Sequence, residues 1–378
     1  MRIAIDHQAS MDDGGAFSAY ANIYETLCEI CEEFGWSLDH YKLADYRSTT
    51  INRLIENFLY KTNLYLLFDS LQLKLSRFEK ILQESDIDLV MYLNPHNNSE
   101  KLNQIPYVNT VWDLGHRDLK MYPEYSSRLL VKRREKSIHE SCINSIFILV
   151  ESEETKKRLI LEYGIPNQKI FIINLLPSPK FSSLTLERKQ LIQGYAIYPA
   201  NFWPHKNHLI LLLALKHLIS KDVKSRKLIF TGADKGNLNF IMNKIRELEL
   251  EEFVEVRGVV SQDDLKNLYF NADLTLYPSL LGPTNLPPFE SLSLGTPVVT
   301  TNINFNNIQG QIKGLYKIDN SSDFKKWAKY LDIGFKPKKP DINEVQKIIT
   351  KQNDSNKKHL KELLFKFVKA KELCQDKV

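Results

Sequence analysis

The segment Tyr277–Asn302, YPSLLGPTNLPPFESLSLGTPVVTTN, decides how the rest of the chain is read. It opens on the end of an apolar run from Ala272 and breaks at Pro278 and Gly282-Pro283, so a strand ends there. Pro287 and Pro288 follow, where proline is tolerated because the first N–H groups of a helix have no intrahelical partner. The spacing predicts a short helix over 289–294, stopped by Gly295. Pro297 then leads into the β-branched run Val298, Val299, Thr300, Thr301. The order is strand, loop, helix, strand. A Gly-Pro-Thr-Asn loop delivered to a helix N-terminus offers backbone N–H groups and the positive end of the helix dipole, the chemistry that holds a phosphate. Glu290 is expected in the first turn of that helix, within reach of a hydroxyl beside the phosphate. An ordinary strand-to-helix connection with a capping acid fits the same spacing.

The same alternation runs outward in both directions. Tyr195 to Tyr198 reads as a strand. It enters the polar loop Pro199-Ala200-Asn201-Phe202-Trp203-Pro204-His205-Lys206-Asn207-His208, which precedes a helix over 209–219. Lys206 thus stands at a strand-to-helix connection, where a cation neutralises a phosphate. Further strands are expected over 227–231, 253–256 and 273–277, with Ser261 capping the helix that runs to Phe270. In the first half, Arg2 to Ile5 is a strand, Gly14 and Gly15 let backbone approach a ligand at its carboxyl end, and a helix runs from Phe17 to Phe34. Apolar residues at helical spacing mark one or two long helices over 51–82. Strands follow over 87–93 and 107–112, and the second ends in Trp112-Asp113-Leu114-Gly115-His116-Arg117, a concentration of polar chemistry at a strand's carboxyl end. There Trp112 can stack on a sugar or base, and His116 can hydrogen-bond or move a proton. Packing of Trp112 in the core with an Asp113–Arg117 pair is the plainer alternative. A helix over 123–141, strands over 145–150 and 170–175 and a linker at Pro177 to Ser183 close the first half. The C-terminal helix is expected from His359 to Leu373.

Residues Tyr277–Asn302 resemble the nucleotide-sugar site of the retaining glycosyltransferase family 4 proteins, which have the GT-B fold of two Rossmann-like doubly wound α/β domains facing across a cleft. Those proteins carry two glutamates there with seven residues between them. Glu290 matches the second, Gly282 stands in place of the first, and the loop resembles a bacterial branch with Gly-Pro-Thr-Asn. The resemblance implies that backbone at Asn285 and Leu286 holds the diphosphate, Glu290 the ribose, and Thr284 or Asn285 the donor sugar. It makes Lys206, with Asn201 and His205 beside it, the diphosphate-binding group. Ala200 stands where many relatives have Arg, so Arg117 of the other domain is a candidate cation. Gly14 and Gly15 would face the donor across the cleft, and the base would lie near 258–261. Trp112 occupies the position of a common His, which leaves Asp113 and His116 as catalytic candidates and Trp112 and Arg117 as sugar or acceptor contacts.

The implied reaction is hexose transfer with retention from a GDP- or UDP-sugar to a growing bacterial surface glycan, without metal or cofactor. The one Asp-x-Asp, Asp86-Ile87-Asp88, falls at the start of a strand. A nucleotide-sugar epimerase of the same fold, or a protein that binds the sugar nucleotide without turnover, remains open. Domains are expected over 1–180 (acceptor) and 181–350 (donor), with 351–378 as a helix returning to the first.

At 378 residues, 43% hydrophobic and 26% charged, the chain has the composition of a soluble two-domain protein. Its formal charge of +5 is too weak to argue for nucleic acid. Basic clusters at Lys132-Arg133-Arg134, Lys156-Lys157-Arg158 and Lys336 to Lys339 fit solvated helix faces, or contact with anionic lipid or a lipid-linked acceptor. Four cysteines do not make a disulfide framework, and Cys28 and Cys31 read as core residues. The start MRIAIDHQAS lacks signal-peptide features and no stretch approaches a membrane span, so a cytoplasmic location, at most on the inner membrane surface, is expected.

Overall fold

The computed structural model describes residues 1–6, 15–41, 77–95, 102–177, 181, 194–282, 286–302 and 312–375. Among them, short runs of β-branched and aliphatic residues form two six-stranded, wholly parallel sheets. The first contains β1 (Arg2–Asp6), β2 (Ser37–Tyr41), β3 (Leu89–Met91), β4 (Tyr107–Val111), β5 (Phe147–Val150) and β6 (Ile170–Ile172), in the order β2-β1-β3-β4-β5-β6. The second contains β7 (Tyr195–Pro199), β8 (Lys227–Thr231), β9 (Val254–Val256), β10 (Leu274–Tyr277), β11 (Val298–Thr301) and β12 (Leu315–Ile318), ordered β12-β11-β10-β7-β8-β9. The central strands are buried along their length and carry continuous apolar runs, as strands covered on both faces must.

Helices cover both sheets. The first is flanked by α1 (Gly15–Phe34), α2 (Arg77–Glu84), α3 (Gly115–Asp118), α4 (Pro123–Ser126), α5 (Arg128–Asn144) and α6 (Glu153–Tyr163). The second has α7 (His208–Ile219), α8 (Leu238–Glu247), α9 (Gln262–Asn271), α10 (Leu286–Ser293) and α11 (Phe324–Leu331). In α1 the residues Tyr20, Ile23, Leu27, Ile30 and Cys31 recur at helical spacing and bury one face against Ile3, Ile5 and Met91. Ser152 and Ser261 cap α6 and α9 by accepting from the N–H groups of Thr155 and Asp264, both at 3.1 Å. The helix expected over 123–141 is broken at Ser127, whose extended backbone and side chain start α5 afresh. Most of the helical stretch expected over 51–82, and most of the linker at 177–183, lie outside the described residues.

The last helix, α12 (Ile342–Gln375), has 34 residues and begins well before the expected His359, so the boundary drawn at 350 falls inside it. At 1.5 Å per residue it is about 51 Å long. Val345 and Ile349 pack in the second domain with Phe289, Leu292 and Val298, while Leu360, Leu363, Leu364 and Phe367 complete the core of the first. Each such side chain contributes about 1.5–3 kcal/mol on burial. Ion pairs Lys357–Glu29 (2.7 Å) and Lys361–Glu33 (2.6 Å) line its exposed edge, and Lys371 binds Asp88 of the Asp-x-Asp. That carboxylate also takes the backbone N–H of Arg2 at 2.8 Å, which makes it a structural tie.

Candidate active site in the interdomain cleft

Doubly wound sheets bind ligands where the strand order reverses, outside the carboxyl ends. In the second sheet that point lies between β7 and β10. The loops leaving both strands meet there: the Leu280 N–H donates to the His205 carbonyl at 3.0 Å. Lys206 Nζ extends from the 3-10 turn Pro204–Lys206 to the hydroxyls of Tyr277 and Ser279, each at 3.2 Å, and lies 5.4 Å from the Tyr277 ring centroid. Burial pushes its ammonium down to about 8, opposed by the negative charge of Asp113 in the other domain. Asn201 Oδ1 accepts from the Ala233 N–H at 2.8 Å and so joins the β7 and β8 loops.

The carboxyl ends of the two sheets face each other. Glu124 of α4 reaches His205, taking its backbone N–H at 3.1 Å and its ring Nδ1–H at 2.7 Å. Burial alone would raise the Glu124 carboxyl, yet the bonds from His205 hold it below its ordinary value; His205 is itself pulled down, chiefly by burial. Gly115 lies so near the second domain that an added Cβ would be 2.7 Å from the Leu281 side chain.

On the first-domain side, Asp113 Oδ1 accepts from the Gly115 N–H and from Arg134, both at 2.8 Å, so its partner is Arg134 and not Arg117. His116 is fully buried and its Nε2 is 2.9 Å from Glu135. Arg117 bonds the same carboxylate at 2.5 and 2.7 Å and, first among the causes, holds it down to about 2. An ionised Glu135 can only accept, so His116 Nε2 is the donor. Burial, then Arg134, depress the imidazole, which leaves it neutral with a bare Nδ1 that has no partner. The proposed role of Arg117 as a cation for the cleft does not fit its placement. Its guanidinium is held by Glu135 and Glu162 and stacks 4.1 Å over Tyr163.

A cavity of about 510 Å³ opens between β4 and α5, with Trp112, Asp113, His116 and Glu124 in its wall.

Helix α10 begins at Leu286, earlier than the expected 289, so Glu290 falls in its second turn and the first turn carries no acid. Glu290 is buried, and its Oε2 accepts from Tyr269 at 2.9 Å. Leu286 is the first, buried residue of α10, and Gly282 has φ +106°. Thr284, Asn285 and Gly14 lie outside the described residues; Gly15 is the first residue of α1. Sequence reasoning missed Glu124, Arg134, Tyr277 and Ser279. Tyr277 and Ser279 stood within the deciding segment, two residues apart at a strand's end. Glu124 and Arg134 carry no local signal, because their partners are 81 and 21 residues away.

Two doubly wound domains with facing carboxyl ends, joined by a returning C-terminal helix, define the GT-B fold. The structure of Anabaena HepE in complex with UDP and glucose superposes with a TM-score of 0.57 over 95% of each chain at 13% identity. Residues 187–310 match the family "Glycosyl transferases group 1". Escherichia coli O-antigen chain mannosyltransferase B is 31% identical over 189 residues, 48% of this chain and 50% of the relative. Salmonella typhimurium O-antigen chain mannosyltransferase RfbU is 26% identical over 167 residues, 41% of this chain and 42% of the relative. The chain thus spans half or less of the length of these two curated relatives.

Proposed function

We propose that the protein is a retaining glycosyltransferase of family 4, moving a hexose from a nucleoside diphosphate sugar to a hydroxyl of a growing bacterial surface glycan. The observation that carries this reading is Lys206, a half-buried cation at the switch point of a sheet whose sequence matches glycosyltransferases. An ammonium held away from bulk water stabilises the charge that develops on a departing diphosphate. The N-terminus of α10 and the loop before it would take the phosphates, and Glu290 the ribose. With this arrangement neither a metal nor a resident cofactor is required. The names of two relatives favour mannose as the hexose.

His116, with a bare Nδ1, would accept the proton or hydrogen bond of the attacking hydroxyl. Asp113 lies where it can balance Lys206 and position Arg134. A lipid-linked acceptor at the inner membrane surface fits the exposed side chains of Met121, Leu129 and Leu130, which stand among the exposed Lys120, Arg128 and Lys132. No described helix is long and apolar enough to cross a membrane.

Thermal-shift screening of GDP, UDP and their hexose conjugates, with and without EDTA, tests the donor site and the absence of a metal together. Stabilisation by one nucleoside diphosphate and its sugar, unchanged by EDTA, is expected. Acceptor-dependent release of nucleotide separates transfer from epimerisation or silent binding, and the anomeric configuration of the product tests retention. A protein that no nucleotide stabilises would end the reading.

A further inference from the structure

The turn that carries Lys206 is capped from the other domain. Trp203 stands at the N-cap of the 3-10 turn Pro204–Lys206, and an indole cannot accept the N–H groups that the start of such a turn leaves free. Pro204 has no N–H, so the first of these belongs to His205. It donates to Glu124 Oε1 at 3.1 Å, 81 residues away in α4. The same oxygen takes the ring Nδ1–H of His205 at 2.7 Å, and both side chains are 8% exposed. One carboxylate thus fixes the backbone and the ring of a single residue with charge-assisted bonds. Tyr125, the next residue of α4, has its ring centroid 6.3 Å from that of His205. The carbonyl side of the turn is held within the second domain, where Tyr198 donates to the Lys206 carbonyl at 2.6 Å and Leu280 to that of His205 at 3.0 Å. The leading N–H is held by the first.

We infer that Glu124 is a positioning residue of the donor site: by capping the Pro204–Lys206 turn it holds Lys206 against Tyr277 and Ser279, so the cation is set only while α4 is docked on the second domain. This rests on the transferase reading and deepens it, for it makes the diphosphate-binding group answer to the domain that takes the acceptor. With α4 withdrawn, the turn is uncapped and Lys206 is free to leave its buried setting for water. The groups that face His205 are Glu124 and Tyr125 from α4, Asp113 from the end of β4 and Lys206 beside it; Tyr122 also feels Glu124. Burial holds the imidazole below its ordinary 6.5, so the docked arrangement requires the neutral ring. An undocked His205 takes a proton first as pH falls below about 6.5, and the cap weakens there.

Scanning fluorimetry of the ligand-free parent, Lys206→Met and Glu124→Ala from about pH 6.5 to 10.5 tests where Lys206 sits, and calorimetric titration with UDP and GDP tests the consequence. Glu124→Ala should lose the rise in stability above about pH 8 that the buried ammonium gives the parent. Its Kd for nucleoside diphosphate should rise about tenfold at about pH 7.5, and about twofold at about pH 5.5, where the cap of the parent is already loosened. Glu124→Gln keeps an acceptor at the right reach and should lose about threefold, whereas Glu124→Asp, one methylene short, should lose about tenfold although it keeps the charge. In a Lys206→Met background Glu124→Ala should cost under about twofold, because the group it positions is gone. An unchanged Kd in Glu124→Ala, a full loss on top of Lys206→Met, a pH profile of stability like the parent's, or better binding by Glu124→Asp than by Glu124→Gln each overturns the inference and leaves the donor reading standing. A rise in stability lost in Glu124→Ala, with neither nucleotide bound by the parent, upholds the positioning and ends the donor reading instead.

Discussion

Lys206→Met should make the protein more stable and useless at the same time. The ammonium titrates at about 8 in the folded chain against an ordinary 10.5. Burial therefore makes the charged form less favourable by a ceiling of about 3 kcal/mol, at 1.36 kcal/mol per unit. Lys206 is only half-buried and keeps two hydroxyl partners, so about 1–2 kcal/mol is a fairer figure once solvent screening is included. Methionine fills similar volume without that penalty, and at about 2–4 °C per kcal/mol the ligand-free melting temperature should rise by about 2–8 °C. The sign has a pH signature. Below about pH 8 both folded and unfolded chains hold the proton and the penalty is complete. Between about 8 and 10.5 the folded chain sheds it first, so the stability of the parent rises with pH there, and that of Lys206→Met lacks this component. Scanning fluorimetry from pH 6.5 to 10.5, paired with calorimetric titration of nucleoside diphosphate, reads both effects. A variant of lower stability, or one that binds nucleotide as the parent does, would refute a strained diphosphate-binding ammonium.

Three further outcomes follow from the geometry. Glu290→Gln keeps an acceptor for Tyr269 but loses the charge offered to ribose hydroxyls, so the Kd for nucleoside diphosphate should rise about 10- to 100-fold with little change in melting temperature; an unchanged Kd by calorimetry would leave Glu290 a core residue. Burial, reinforced by Asp113, pushes the Glu151 carboxyl up to about 8, so folding holds a proton that the unfolded chain releases near pH 4.5. Stability should fall as pH rises from about 4.5 to 8, and Glu151→Gln should flatten that fall and gain roughly 2 kcal/mol at pH 8 by urea denaturation; a parallel pair of pH profiles would contradict it. Asn356→Leu removes three hydrogen bonds between α12 and Asn174, at 2.7, 3.2 and 2.8 Å, and should cost about 2–4 kcal/mol, seen as a lower urea midpoint; a loss under 1 kcal/mol would mean that the helix is held by its apolar face alone.

What could be read in advance followed burial. Strands β3, β4, β7, β8, β10 and β11 are covered on both faces and announce themselves as apolar runs between turn residues. Strands β2 and β12 are sheet edges, SLDHY and LYKI, half-exposed and punctuated by charge, and nothing in their pattern separates them from loop. Helix α11 was legible but not read: Phe324, Trp327, Ala328 and Leu331 keep helical spacing and Asp323 caps them. The start of α10 was misplaced because two prolines were assigned to its threshold, whereas Leu286 precedes both within the first turn. At the cleft, the elements that bring Lys206 and Asp113 to strand ends were written locally. The partners of Asp113, His205 and Lys206, which are Arg134, Glu124 and Tyr277, depend on which strand ends meet.

The two departures from the resembling family's pattern sit where the chain is closely packed or its backbone constrained. Gly282 adopts φ +106°, where a side chain costs about 1–3 kcal/mol of strain, so a glutamate at this position would require a different loop. Ala200 is 9% exposed and belongs to the core of the second domain. Its backbone is pressed against Gly232, where an added Cβ would lie 2.4 Å from the Ala200 oxygen. The β10 loop lies against His205, and Lys206 lies between Tyr277 and Ser279. Burial there depresses the ammonium, and an anionic ligand that entered the site would restore its full charge. Binding of a diphosphate would then offset the burial penalty on the ammonium, which is why the stability gained in Lys206→Met and the affinity lost should be read on the same samples.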